Sequence, residues 1–406
     1  MQTWQQLDQA YIMSTVSRYP IAIGKAEGNY LYDTEGKRYL DLFTGLAVNT
    51  LGHSHPRILE ALEEQGRRFL HISNLFLNPP AIRLAERLVK HTFGQGKVYF
   101  SNSGAEATEA AVKLVHKWIQ REQHGRQGIV VLKNSFHGRT LGALRLTRQP
   151  GVYQDFPQPD FPVFEVEPNQ IDSLMEVCRT HRPAAILVEP ILGAGGVVSL
   201  ERAYLETIEQ LCKEEQMLFL VDEIQTGIGR TGKLFAYQHF ALSPDVILFA
   251  KGIGGGLPLG GLIASAHVAD LFQPGDHGTT FAPSPLSAAL GNAVLDVLLE
   301  DGLLEQGRQV ADALWEELHR LQQAHPRVFK GVDGQGMMLG IRTHLSAEHV
   351  KRLQSELLEA GILVNVTAKT VVRLLPPLTL TRAEVTFFIE TLERLITQME
   401  PAWEVN

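Results

Sequence analysis

Between residues 97 and 264 the chain repeats one pattern: a short apolar run, then a longer stretch in which apolar residues recur at helical spacing. The short runs predict strands at 97–100, 128–132, 184–188, 217–221, 246–249 and 261–264, with helices between several of them, such as 203–215. After the first strand, apolar residues at 107, 110, 111, 114, 115, 118 and 119 make a clean helical stripe. Strands alternating with helices predict an α/β fold, a mostly parallel sheet flanked by helices.

Both ends of the chain read differently. Residues 1–18 suggest a polar helix or arm. From 19 to 42, short alternating runs broken at Glu27-Gly28 and Thr34-Glu35-Gly36 predict a small antiparallel meander. Helices are expected at 56–71 and 82–91. Beyond 303 come a long amphipathic helix, a strand at 337–341, a helix at 347–360, two short strands and a last helix at 382–399. This is α+β patterning. We therefore expect 1–50 and 301–406 to form one smaller domain around a large domain at 51–300.

Composition narrows the function. The 406 residues are 44% apolar and 20% charged, ordinary for a globular protein, and the formal net charge is −8. With no basic block, that balance argues against nucleic-acid binding. No apolar run approaches the roughly 18 residues of a membrane helix, so no membrane partner is expected. The first residues carry no basic and apolar leader pattern, and the only cysteines, Cys178 and Cys212, fall at apolar helical positions. A cytoplasmic protein without disulfides or a metal cluster is the expectation. His53 and His55 lie in a turn-like stretch without a third ligand, and read as loop histidines.

The candidate chemistry gathers at strand ends, where ligands of such sheets collect. Lys251 follows the apolar run 246–249 and precedes glycines at 252, 254, 255 and 256. Burial there favours a neutral, nucleophilic amine, although a lysine snorkelling out of a strand end fits the same letters. Ser103 and Glu106 form a capping-box pattern, and the turn Ser103-Gly104-Ala105 opens a helix whose free N–H groups suit a phosphate. Phe136 and Arg139 sit in a turn after 128–132, one able to cover a flat ring and the other to fork a carboxylate. Asp222 follows an apolar run and needs a cationic partner, either a protonated ring nitrogen or a neighbouring arginine such as Arg230. Glycine patterns at 227–233 match dinucleotide and P-loop fingerprints only in letters, because Pro244 leaves no room for a long helix and Leu234 stands where a Ser/Thr should. An amine, a phosphate cup, a ring cover, a buried acid and an arginine together fit pyridoxal 5'-phosphate.

The motifs SNSGAEATEAA (101–111), SFHGRT (135–140), VEPILGAGGV (188–197), VDEIQTGIGRTG (221–232) and FAKGIGGGLPLGG (249–261) resemble those of class III, fold-type-I pyridoxal-phosphate aminotransferases, the acetylornithine and ornithine group above all. The resemblance implies that Lys251 forms an aldimine with the cofactor and that Asp222 pairs with its ring nitrogen. It places Gln225 near the ring hydroxyl, Phe136 on the ring, and Ser103, Gly104 and Ala105 at the phosphate. Thr280 would reach the phosphate of the other subunit, so a homodimer with shared active sites is implied. Arg139, Thr279, Glu189 and Arg373 would bind substrate, Arg373 taking the carboxylate of glutamate or 2-oxoglutarate. The chain departs from the family where Ala194 replaces a glutamate able to mask that arginine, and where Phe281-Ala282-Pro283-Ser284-Pro285 follows the two threonines. The function implied is ping-pong transamination of an ω-amino donor, N-acetylornithine first, with 2-oxoglutarate. Alternatives are a 4-aminobutyrate, ornithine, lysine-pathway or diamine transaminase, an aminomutase, or a non-catalytic cofactor-binding regulator.

Overall fold

The computed structural model describes residues 3–399. A seven-stranded sheet runs in the order Gly96–Ser101, Gly260–Ser265, Val246–Phe249, Leu218–Asp222, Ala185–Val188, Ile129–Leu132, Val163–Val166. All neighbours are parallel except around Gly260–Ser265, which runs antiparallel to the strands on both sides. Within each central strand, successive side chains alternate between two separate apolar clusters. Val130, Val221 and Ile247 point into one; Ile129, Leu220 and Val246 point into the other. Both faces are thus covered, which is why these strands are apolar throughout rather than alternating.

Helix Gly104–Glu122 supplies one cover, through Ala110, Ala111, Leu114, Val115 and Trp118. The opposite cover includes Tyr204, Leu205, Ile208 and Cys212 of helix Arg202–Glu215 and Leu174 and Cys178 of helix Ile171–His181. Both cysteines are buried and unpaired, in the core positions expected of them.

The two ends of the chain meet. Strands Ile23–Glu27, Tyr30–Asp33 and Arg38–Asp41 form the meander, and Ile362–Leu363 joins it in parallel beside Arg38–Asp41. A further sheet orders Phe329–Gln335, Met338–Thr343, Val371–Leu374 and Asn365–Thr367, all antiparallel. Several strands escaped the periodicity reading, among them the two-residue strands Ile191–Leu192 and Val198–Ser199, and two longer ones have a physical reason. Val163–Val166 is a half-exposed edge among prolines, and Phe329–Gln335 carries two glycines; pairing, not pattern, makes both extended. Among the described residues no helix is long and apolar enough to cross a membrane.

Candidate active site

A cavity of about 460 Å³ opens at the carboxyl ends of the parallel strands. Lys251 enters it from the exit of Val246–Phe249. Its backbone adopts φ +53°, a left-handed conformation that costs a non-glycine residue on the order of 1–2 kcal/mol, and it begins the short helical turn Lys251–Gly254. Burial brings the amine down to about 8; the nearby Asp222 carboxylate opposes that shift and Arg373 adds to it. The snorkelling alternative is therefore excluded: Lys251 lines the cavity.

Asp222 ends its strand only 3% exposed. One carboxylate oxygen accepts the Ile224 N–H at 3.1 Å, and the other lies 2.7 Å from Nδ1 of the fully buried His137. A carboxylate only accepts, so Nδ1 carries the hydrogen, while Nε2 of the same ring is buried with no partner among the described residues. Arg230 is not the partner of Asp222. It is wholly buried elsewhere, donating to the carbonyls of Met337 (3.2 Å) and Pro376, and burial lowers it to about 9. The glycine-rich stretch around it holds no long helix, only the short turn Ala236–His239. The adjacent Glu223 is buried too and pushed up to about 7, but it faces Thr226 Oγ1 (2.5 Å) and the Tyr237 N–H (2.7 Å) inside the fold. Two neighbouring acids thus have separate environments, and one of them lines the cavity.

Ser103 caps helix Gly104–Glu122, its Oγ accepting the Glu106 N–H at 3.2 Å. Glu106 reaches back to the N–H of Asn102 (2.8 Å), so the expected capping box is displaced by one residue. Ser103, Gly104 and Ala105 line the cavity, and the first N–H groups of a helix have no intrahelical acceptor. A Cβ on Gly104 would stand 2.8 Å from Ile224, so this close approach requires glycine.

Phe136 and Arg139 line the same cavity, the guanidinium 5.7 Å from the ring centroid. Phe136 N–H donates to Glu189 Oε1 (2.8 Å), and Gly193 N–H to its Oε2 (3.3 Å). Burial raises the Glu189 carboxyl, against the pull of His137. Gln225 and Ala194 complete this wall, and Gln225 Oε1 accepts from Nη1 of the buried Arg373 at 3.4 Å. Arg373 is lowered to about 10 by burial and is held on Asn365 Oδ1 through Nε (3.1 Å) and Nη2 (2.7 Å). Thr279 stands one residue back: its Oγ1 accepts from Asn102, which itself lines the cavity (3.0 Å). Thr280 is exposed and outside the lining.

His137, Asn102 and Asn365 carried no sequence signal as site residues. His137 was visible only as a letter inside a turn, with its partner 85 positions away. Among the described residues no His/Cys/Asp/Glu cluster is arranged for a metal ion, and His53 is hydrogen-bonded to the buried Asp41 at 2.8 Å.

The family model "Aminotransferase class-III" matches residues 11–396. The chain belongs to this family. It is 41% identical over 387 residues to the acetylornithine aminotransferase of Aquifex aeolicus, covering 95% of this chain and 100% of that protein. It is 39% identical over 364 residues to the succinylornithine transaminase of Salmonella typhimurium, covering 89% and 88%. Among solved structures, an ornithine aminotransferase from Toxoplasma gondii, described with partial occupancy of PLP at its active site, superposes with TM-score 0.91 at 28% identity, covering 98% of this chain and 96% of that one. The protein is thus a class III aminotransferase of fold type I, similar to the acetylornithine enzymes.

Proposed function

We propose that this aminotransferase uses pyridoxal 5'-phosphate to exchange the amino group of an acylated ω-amino donor, N-acetylornithine first, with 2-oxoglutarate, in ping-pong fashion. The observation that carries the proposal is the joint presence in one cavity of a lysine lowered to about 8, a buried acid and a glycine-opened helix N-terminus. The residues fit the group. When bound, pyridoxal phosphate supplies an aldehyde for an amine and a ring that withdraws electrons from the neighbouring carbon.

The chain's own residues do the rest. Lys251 would hold the cofactor, and its Nζ, when free, would carry a proton to and from the reacting carbon. Asp222, oriented by the His137 Nδ1–H, would be the acid that meets the ring nitrogen. The N–H groups of Gly104 and Ala105, with Ser103, would take the phosphate, Phe136 would cover the ring and Gln225 would meet its hydroxyl. Arg139 and Arg373 take substrate carboxylates, with Glu189 and Thr279 as further substrate contacts. We also propose a homodimer in which Thr280 completes the partner's phosphate site, a cytoplasmic setting, and a division into a large domain at 51–300 and a small one from both chain ends.

Borohydride reduction of the loaded protein followed by peptide mapping tests the central assignment. A pyridoxyl group on Lys251 is expected, and its appearance on another lysine would overturn it. Loss of the cofactor's visible band on mixing with N-acetylornithine, N-succinylornithine, ornithine or 4-aminobutyrate then ranks the donors.

A further inference from the structure

Gly193, Gly195 and Gly196 lie in the loop that joins the paired strands Ile191–Leu192 and Val198–Ser199. Glycines have the most backbone freedom to lose, so the path of this loop must be fixed from outside. Two neighbours press on its backbone. A Cβ on Gly195 would stand 3.0 Å from the Asn134 carbonyl oxygen, and one on Gly196 would stand 3.1 Å from Cβ of Ala368. Of residues 193–196 only Ala194 carries a side chain, and it lines the cavity. The loop is therefore a wall of the site.

Two side chains hold the polar backbone of this wall. Glu189 Oε2 accepts the Gly193 N–H at 3.3 Å, and Thr367 Oγ1 donates to the Ala194 carbonyl at 2.7 Å. The shorter bond comes from a different sheet. Thr367 ends strand Asn365–Thr367, and the chain then turns tightly into Val371–Leu374. Ala368 (φ +46°) and Lys369 (φ +66°) make that turn as consecutive left-handed residues, a conformation that side chains resist and glycine adopts freely. Thr343 Oγ1 ties the far side of the turn by donating to the Thr370 carbonyl at 2.9 Å. Strain of this kind persists where the surroundings over-determine a geometry. Here the geometry sets the Thr367 hydroxyl on the Ala194 carbonyl and the Ala368 methyl against Gly196.

We propose that Thr367 is a positioning residue for donor choice: through the Ala194 carbonyl it holds the glycine-rich wall in one place and so fixes how wide a donor the cavity accepts. The inference rests on the aminotransferase reading above for what enters the cavity, but the hold itself is tested without substrate.

Thr367→Val keeps the branched shape and loses the donor; Thr367→Ser keeps the hydroxyl. Hydrogen exchange of the peptide spanning 191–199 is followed by mass spectrometry in the loaded wild type and in both variants. Exchange there should speed up about threefold to tenfold in Thr367→Val, with Thr367→Ser close to wild type. Unchanged exchange in Thr367→Val would overturn the proposal. The consequence for substrate is read on N-formyl-, N-acetyl-, N-butanoyl- and N-benzoylornithine, uncharged acyl groups of increasing width. A fixed wall should make KM climb along the series in the wild type. In Thr367→Val the ratio of the largest to the smallest KM should shrink about threefold, with kcat little changed and the ratio restored in Thr367→Ser. Faster exchange with an unaltered ratio would leave Thr367 a support of the loop alone, and an equal fall in kcat for every donor would mean general damage; either overturns its part in donor choice. If the wild type turns over none of the four, the aminotransferase donors are misassigned, yet the exchange measurement still decides whether Thr367 holds the wall.

Discussion

The site draws on two sheets, one supplying the cavity lining and the other reaching its wall through Gln225, and the two contributions are stabilised differently. From the large sheet come Lys251 and Asp222, a potentially cationic amine and an acid at strand ends, each fixed by burial and by backbone geometry. From the sheet built late in the chain comes Arg373, held by the neutral oxygens of Asn365 and Gln225. Charges held in a low-dielectric interior are sensitive to every change of charge around them. Amide contacts contribute about 1 kcal/mol each and can be exchanged. The contrast teaches where this molecule can change its substrate without losing its chemistry.

Asp222→Asn probes the rigid side and should have the largest effect. The substitution is nearly isosteric, and its amide oxygen can still accept from His137, so the fold should melt within a few degrees of wild type. Activity should fall on the order of 10²–10⁴-fold, the range of a lost acid–base or electrostatic group. Near-normal kcat would mean that the His137–Asp222 pair serves packing alone.

A second break of the rigid side uses pH. Lys251 titrates near 8 in the cofactor-free fold, against an ordinary 10.5. Between those values the unfolded chain binds the extra proton, so stability rises with pH there, and the penalty of the buried ammonium is fully present below about pH 8. Lys251→Met should therefore stabilise the cofactor-free protein by about 1–3 kcal/mol at pH 7, with the gain shrinking toward pH 10. Denaturant titrations at pH 7, 8.5 and 10 measure it; a gain that does not vary with pH would show that the amine is not burdened by burial.

On the adaptable side, Ala194→Glu places an acid in the cavity wall that also holds Gln225, the residue Arg373 touches. It should shift the kcat/KM ratio of N-acetylornithine to 4-aminobutyrate toward the plain amine by about 1–2 kcal/mol, as expected for one added charge pairing at a partly dry site. An unchanged ratio would remove position 194 from donor choice.

How far these two sides could be read from the letters follows the same division. The rigid side lies in contiguous motifs, and its strands are apolar runs, so 246–249 followed by Lys251 and 217–221 followed by Asp222 were readable together. Each of the six expected large-sheet strands is present. Asn365 was invisible because its meaning comes from a cross-strand register eight residues away from Arg373, which no local pattern announces. Arg373 itself was legible, but its amide contacts with Asn365 and Gln225 were not. Arg230 was the alternative partner open to Asp222, and it lies elsewhere because sequence proximity is a poor guide once a chain turns back through glycines. The true neighbour, His137, arrives from a different strand end.

Gln225 belongs to both sides, and the smallest predicted effect tests how strongly it joins them. It follows Asp222 by three residues, yet its amide oxygen touches Arg373. A Cβ built on Gly193 would lie 1.9 Å from that oxygen, with Met338 Cε 3.1 Å away, so Gly193→Ala must push the Gln225 amide aside. The displaced group is the far end of a flexible side chain, so the fold should absorb the change. The contact that is lost is 3.4 Å long, near the outer limit of a hydrogen bond, and Asn365 still holds two N–H groups of the guanidinium. KM for 2-oxoglutarate should therefore rise less than about threefold, below 1 kcal/mol, with Lys251 labelling by borohydride unchanged. A rise of tenfold or more would show that Gln225 and Arg373 act as one unit, and that the adaptable side is tied to the rigid one.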